Sequence, residues 1–182
     1  IARVSLASDY RDAVLIVPEL RLALAAQPDD TRMLQALYET LRRSGDGDQA
    51  RSVFEAALAT SPQVAALWQA RLAVEDASDP QALDVAGRWL AQMPESVPAL
   101  EANMALLGVR RDGEGAEAMA RRIVALVPGH RSAQMRIVDR LVARDPDAAF
   151  AHIQSLMSQT QDLEAQYELR DWLAHTQLRA GH

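Results

Sequence analysis

Apolar residues recur along the chain with the three- and four-residue spacing of an amphipathic helix. Leu34, Leu37 and Leu41 fall on one face of such a helix. Residues 44–48 interrupt the pattern with two glycines, which suit a turn. A second apolar stripe then follows over residues 47–60. This alternation predicts a helix–turn–helix unit.

The same alternation continues along the sequence and predicts an all-α chain. The predicted helices cover residues 31–43, 47–60, 64–77, 80–92, 97–109, 113–126, 131–144, 147–158 and 163–179. Residues 9–26 are also helical in pattern, but Pro18 interrupts them, either as a kink or as a break between two short helices. Aspartates before several of these segments suit N-caps, and in two cases proline follows at the first helical position.

Prolines give the helical pattern a regular period. Pro28, Pro62, Pro94 and Pro128 are separated by 34, 32 and 34 residues, and each follows an alanine-rich apolar run. Because a helix does not easily continue into proline, each one marks the end of one helix before the next begins. The sequence is therefore an internal repeat.

Composition narrows the classes of protein to which the chain can belong. Of 182 residues, 49% are apolar and 4% aromatic, which allows a buried core but is not typical of a β-sandwich. Cysteine is absent, which excludes disulfides and thiolate chemistry. We expect no membrane insertion and, at a net charge of −6, no general affinity for nucleic acid. All 19 basic residues are arginine, a bias typical of GC-rich bacterial genomes.

The sequence contains no recognisable catalytic or metal-binding motif. No two of the four histidines have the helical spacing of a zinc site, and the glycine pairs fall where turns between helices are required. We therefore expect a protein that is not an enzyme and has neither cofactor nor metal.

A helix–turn–helix period of 34 residues closed by proline resembles the tetratricopeptide repeat family. Unit 31–64 carries the resemblance best, with Ala50, Phe54 and Pro62 at signature positions, and Trp68 lies at the family's tryptophan position in the next unit. The resemblance implies a right-handed α-solenoid. Its expected units, in one domain 1–182 of a longer chain, are a partial unit 1–30, repeats 31–64, 65–96, 97–130 and 131–166, and a partial repeat 167–182.

One departure from the family concerns the close approach of the two helices in a repeat. The family usually has glycine at the eighth position, and this chain has larger residues there: Tyr38, Leu72, Met104, Val138 and Ala174. These residues are expected to open or shift the crossing of the two helices.

The resemblance also implies a non-catalytic scaffold that binds a protein or peptide in a concave groove. By resemblance, the groove-facing residues of the first helices include Arg32, Gln35, Glu39, Arg42, Arg43, Gln69, Asp76, Glu101, Asp139, Asp171 and His175, with Met135, Val142, Glu168 and Arg179 at further such positions. One hypothesis places the acidic part of an extended peptide near Arg32, Arg42 and Arg43. The alternative is a solvated helix face without a ligand.

Several functional alternatives stay open at this stage. The resemblance suggests bacterial envelope assembly, secretion or polysaccharide export, in either the cytoplasm or the periplasm. A different class is the substrate-positioning repeat region of a larger enzyme, such as a sulfotransferase or glycosyltransferase. An RNA-processing scaffold is disfavoured by the acidic charge, although Arg136, Arg140 and Arg144 share one helix face.

The last predicted helix carries a semi-apolar face. Leu169, Leu173, Thr176 and Gln177 lie on it, and it suits an internal interface, a homodimer contact at an uncapped solenoid end, or a cap.

Overall fold

The computed structural model describes residues 10–160 and 163–180, and these ranges are helical without any strand. The helices are α1 (Tyr10–Ala26), α2 (Thr31–Arg43), α3 (Gly47–Thr60), α4 (Ala65–Ala73), α5 (Pro80–Gln92), α6 (Val97–Val109), α7 (Gly113–Leu126), α8 (Arg131–Arg144), α9 (Pro146–Gln159) and α10 (Leu163–Ala180). The all-α prediction is confirmed. The predicted helix start at residue 9 and all the residues before it lie outside the described residues.

Most predicted helix bounds agree with the structure, and the differences have local causes. Helix α4 ends at Ala73 rather than at residue 77. The Asp76 carboxylate accepts hydrogen bonds from the backbone N–H and hydroxyl of Ser78, which holds a turn in front of α5. Pro18 lies inside the single helix α1, so the alternative of two short helices is wrong.

Aspartate N-caps begin the helices as the sequence predicts. Side-chain caps of this kind are made by Asp30, Asp46, Asp79, Asp112 and Asp145. His130 takes the same place before α8, where its Nδ1 accepts the N–H of Ala133 at 3.4 Å. Each cap satisfies an N–H group that the first turn leaves without a partner.

The helices pair as hairpins within two compact units, Ile1–Pro94 (unit 1) and Glu95–His182 (unit 2). The first helices of the hairpins are α2 and α4 in unit 1, and α6, α8 and α10 in unit 2. In unit 1, each helix from α1 to α5 contacts the next, and the first helices α2 and α4 also contact each other. Leu37, Phe54 and Leu67 are almost fully buried at the centre of unit 1.

Tyr38 shows what a large residue does at the eighth position of a repeat. Its ring packs against Phe54 with the centroids 5.8 Å apart, and its hydroxyl donates to the carbonyl of Val74 at 3.3 Å. This one side chain therefore joins α2, α3 and the end of α4.

Unit 2 is built in the same way around a further apolar core. Each helix from α6 to α10 contacts the next, and α8 also contacts α10. Leu169 and Trp172 of α10 pack with Val138 and Ile153. Since Leu169 and Thr176 are buried, the semi-apolar face of α10 is an internal interface over those residues, whereas Gln177 is exposed.

A recurring hydrogen bond fixes how a first helix follows the preceding hairpin. Trp68 Nε1 donates to the carbonyl of Pro62 at 2.8 Å, and Gln134 Nε2 donates to that of Pro128 at 2.8 Å. Gln166 Nε2 makes the same bond to Thr160 at 3.0 Å. In each case the donor lies six residues after the acceptor and at the fourth position of its helix.

Candidate functional site

The polar and charged residues predicted to face a groove lie outside the buried core of the first helices, whereas Met135 and Val142, also predicted there, are partly buried against the core of unit 2. The exposed ones are Arg32, Gln35, Arg42, Arg43, Gln69, Asp76, Asp139, Asp171 and His175, and the half-buried ones are Glu39 and Glu101. Their neighbours Leu34 and Leu37 on α2 are 2% exposed. The core therefore forms without these side chains, which leaves them available to another molecule.

The first-helix face of unit 1 has an excess of positive charge. It carries Arg32, Arg42 and Arg43 of α2 against Glu39 of the same helix and Asp76, which follows α4. Arg42 donates to Glu39 at 3.0 Å, and the arginine side chain is still 56% exposed. An exposed pair of this kind contributes only about 0–1 kcal/mol, so it does not prevent Arg42 from binding a ligand.

The first-helix face of unit 2 is acidic and partly apolar. Glu101 of α6 lies 2.9 Å from Nε2 of His130, and Asp139 and Asp171 are exposed on α8 and α10. Val109 and Tyr167 leave 56% and 65% of their surface exposed. This face therefore combines carboxylates with apolar contact area.

Sequence reasoning missed Tyr167 as a member of this face. The predicted last repeat begins at residue 167, whereas α10 begins at Leu163. Tyr167 is therefore fifth in its helix, the position that Glu101 takes in α6. The hydrogen bond from Gln166 to Thr160 indicates the same register, because Gln134 stands fourth in α8 and bonds in the same way.

A buried ion network joins α3, α4 and α5 in unit 1. Arg71 is 4% exposed and bonds Glu75, just after the end of its own helix, and Glu55 on α3, the latter at 3.3 Å. Arg88 of α5 bonds Glu55 at 2.6 Å, and its guanidinium carbon lies 5.6 Å from the centroid of the Trp68 ring. The hydrogen bond from Arg88 lowers the pKa of Glu55, with Arg71 acting in the same direction against burial.

A second group of charges lies between α7 and α8 in unit 2. This Glu117 cluster consists of Glu117, Arg121, Arg140 and Arg144. The Glu117 side chain is 7% exposed, and its Oε1 accepts from Arg121 at 2.7 Å and from Arg144 at 2.8 Å. Burial raises the pKa of Glu117, but its bonds to Arg121 and Arg144 and their charges outweigh it, so the pKa lies below its ordinary value.

Comparison with known proteins agrees with the helical hairpins. Residues 31–75 match the family model described as Tetratricopeptide repeat. This segment is therefore similar to a tetratricopeptide repeat. The described helices on either side of it continue a helical repeat architecture.

Solved structures resemble the chain over most of its length. A tetratricopeptide repeat protein from Parabacteroides merdae ATCC 43184 is 19% identical, with a TM-score of 0.56 over 93% of this chain and 68% of that one. The MamA RS-1 ArsTM double mutant is 17% identical, with a TM-score of 0.53 over 87% of this chain and 100% of that one. At these identities the likeness shows the fold. No curated protein sequence matches the chain.

A cavity of about 580 Å³ opens in unit 2 between α8, α9 and α10. Its apolar lining includes Leu156, Leu169 and Trp172, and an ion pair between Arg131 and Glu168, 2.9 Å apart, lies at the same place. Cavities of this size hold a large side chain or a small ligand.

Within residues 10–160 and 163–180, no three histidine, aspartate or glutamate side chains are grouped as a metal site would require. Over the same residues, no helix has the length and apolar character needed to span a membrane.

Proposed function

We propose that the chain is a protein-binding scaffold whose first-helix faces take up segments of a partner protein. The observation that carries this proposal is the exposure of the groove positions beside a core that is complete without them. Tetratricopeptide repeats generally mediate protein–protein interaction, which supports the same conclusion. The proposed role is non-catalytic.

The face of unit 1 is suited to an acidic segment. The groove positions of unit 1 carry three arginines against two carboxylates, and guanidinium groups bind carboxylates through paired hydrogen bonds. Arg42 and Arg43 are adjacent at the end of α2, so they favour two nearby carboxylates over a single one.

The face of unit 2 is suited to a segment that carries basic and apolar side chains. Asp139 and Asp171 favour a basic side chain, and Val109 and Tyr167 offer contact to apolar ones. A tyrosine at an exposed position supplies large contact area with few rotatable bonds to immobilise.

We further propose that the partner belongs to envelope assembly, secretion or polysaccharide export, the roles that the resemblance of the sequence to the tetratricopeptide repeat family suggests. The contact chemistry proposed for the two faces does not depend on which of these pathways supplies the partner.

The test is capture of partners from a lysate of the source organism, followed by affinity measurement on the captured protein. Arg42→Ala combined with Arg43→Ala should weaken binding about tenfold or more, since two charge-assisted contacts are removed. The matched control is Arg110→Ala with Arg122→Ala, which removes the same charge from exposed positions outside the groove set. Equal loss in both double variants would indicate general electrostatic attraction and contradict a groove site.

A further inference from the structure

Each unit carries a charge network that includes the contact between a second helix and the first helix that follows it. In unit 1 the network also reaches α5, and it contains Arg51, Arg71, Arg88, Asp48, Glu55, Glu75 and Asp84. In unit 2 it is the Glu117 cluster, Glu117, Arg121, Arg140 and Arg144. Three arginines therefore meet four carboxylates in unit 1, whereas three arginines meet a single carboxylate in unit 2.

The single carboxylate of the Glu117 cluster does not satisfy its arginines. Arg121 and Arg144 both bond Oε1 of Glu117, so their guanidinium groups converge on one point. Arg140 Nε is buried without a hydrogen bond and lies 3.6 Å from Oε2. Each guanidinium has five N–H donors, so most donors of the cluster remain for another acceptor.

Apart from the buried Nε of Arg140, the guanidinium groups of the cluster are partly accessible from outside. The side chains of Arg121, Arg144 and Arg140 are 57%, 49% and 29% exposed, whereas Glu117 lies beneath them at 7%. An anion approaching unit 2 here would meet the guanidinium groups before the carboxylate.

The cluster carries three guanidinium groups against one carboxylate although the whole chain has a net charge of −6. His152 of α9 lies near it, and burial, followed by the charge of Arg121, lowers the pKa of this histidine.

We propose that Arg121, Arg140 and Arg144 form a binding site for a phosphate monoester carried by a partner peptide. The cluster has an excess of two positive charges, and a phosphate monoester carries about −1.5 to −2 at neutral pH. Its three terminal oxygens match converging guanidinium forks better than one carboxylate does. Arg140 and Arg144 stand at the tenth and fourteenth positions of α8, outside the groove set, so this site is separate from the proposed first-helix faces.

The experiment is an NMR titration of the 182-residue chain that follows the arginine Nε–Hε signals. The probe is the acetylated and amidated peptide Gly-Gly-phosphoserine-Gly-Gly, compared with the same peptide carrying serine or aspartate and with inorganic phosphate. We expect saturable shifts at Arg121, Arg140 and Arg144 with the phosphopeptide, and binding at least about fivefold weaker with the aspartate peptide.

Matched variants separate this site from general charge effects. Arg144→Gln should weaken phosphopeptide binding about fivefold. Arg88→Gln should leave it unchanged, since Arg88 belongs to the network of unit 1, where carboxylates outnumber arginines. Tm values of both variants check that they are folded.

Four outcomes would overturn the proposal. The first is no shift at the three arginines at millimolar phosphopeptide, and the second is equal loss in both variants. The third is equal binding of the aspartate peptide, which would mean a site for carboxylates. Equal affinity for inorganic phosphate would mean a site for the free anion rather than for a peptide. None of these results depends on Arg42 and Arg43, so the groove proposal is tested independently of this one.

Discussion

Arg71 holds two carboxylates inside unit 1, and replacing it with leucine should destabilise the unit by about 3–5 kcal/mol. The side chains of Arg71 and Glu75 are both 5% exposed, so Arg71→Leu leaves Glu75 buried. Among the described residues, Arg51 is then the basic side chain that remains near Glu75, with its Nε 3.9 Å from Oε1 of the carboxylate. Glu55 is less affected, because Arg88 still bonds it at 2.6 Å. Domains of this kind are stable by about 5–15 kcal/mol, so the loss is a large fraction of the total.

The double variant distinguishes an ion network from simple packing. Glu75→Leu alone should cost about 1–3 kcal/mol, since Arg71 keeps Glu55 at 3.3 Å. Arg71→Leu combined with Glu75→Leu removes both charges and replaces them with apolar volume. We expect the double variant to lie within about 1 kcal/mol of the parent, because a buried pair is often replaced by apolar residues at little cost.

The assay is urea denaturation followed by tryptophan fluorescence. Trp172→Phe serves as the background in every protein, so that the remaining Trp68 and Trp89 both report on unit 1. Free energies of unfolding that add within about 0.5 kcal/mol would refute the reasoning, since independent sites add and a coupled pair does not.

Four further predictions concern a turn, two titrating groups and a contact between repeats. Gly45 and Arg111 occupy corresponding turns with φ of 84° and 60°, so Gly45→Ala should lower stability and Arg111→Gly raise it, each by about 0.5–1 kcal/mol in urea denaturation. Burial raises the pKa of Glu117 but its arginine partners lower it more, so its stabilisation is present above pH 4.5 and is lost as pH falls through the folded pKa. Tm measured from about pH 6 to pH 3 should therefore fall less steeply in Glu117→Gln. Burial and then the charge of Arg121 lower the pKa of His152 in the folded state, so this residue contributes stability to the fold above pH 6.5 that is lost as the pH falls. His152→Gln should therefore flatten the profile of Tm against pH between about pH 7 and pH 5. Gln134→Leu removes the hydrogen bond to the carbonyl of Pro128 at the preceding turn and should lower the free energy of unfolding by about 1–2 kcal/mol, measured by thermal denaturation. An unchanged Tm would contradict this.

The helices could be predicted closely because their signals are local. Asp46, Asp79 and Asp112 each cap the helix that begins at the next residue, and the apolar spacing within each helix needs no knowledge of its neighbours. Helix α4 was predicted too long because the turn formed by Asp76 and Ser78 competes with helical continuation through side-chain hydrogen bonds.

The charge networks could not be predicted in the same way. Arg71 is separated from Glu55 by sixteen residues, and their contact depends on how α3 and α4 are rotated against each other. The sequence shows the spacing of Arg136, Arg140 and Arg144, but the contacts of Arg140 and Arg144 with Glu117 of α7 depend on helix packing. Local pattern therefore gives the elements, and three-dimensional packing decides which charges are satisfied.

The central claim is that the first-helix faces bind a partner protein. Site-specific photo-crosslinking in cells of the source organism tests this most directly, with p-benzoylphenylalanine placed at Gln35 or Gln69 on first helices. The control position is Ser52, which is exposed on the second helix α3. The account predicts one dominant crosslinked protein from Gln35 and Gln69 and none from Ser52. Equal crosslinking from all three positions, or none from Gln35 and Gln69, would contradict it.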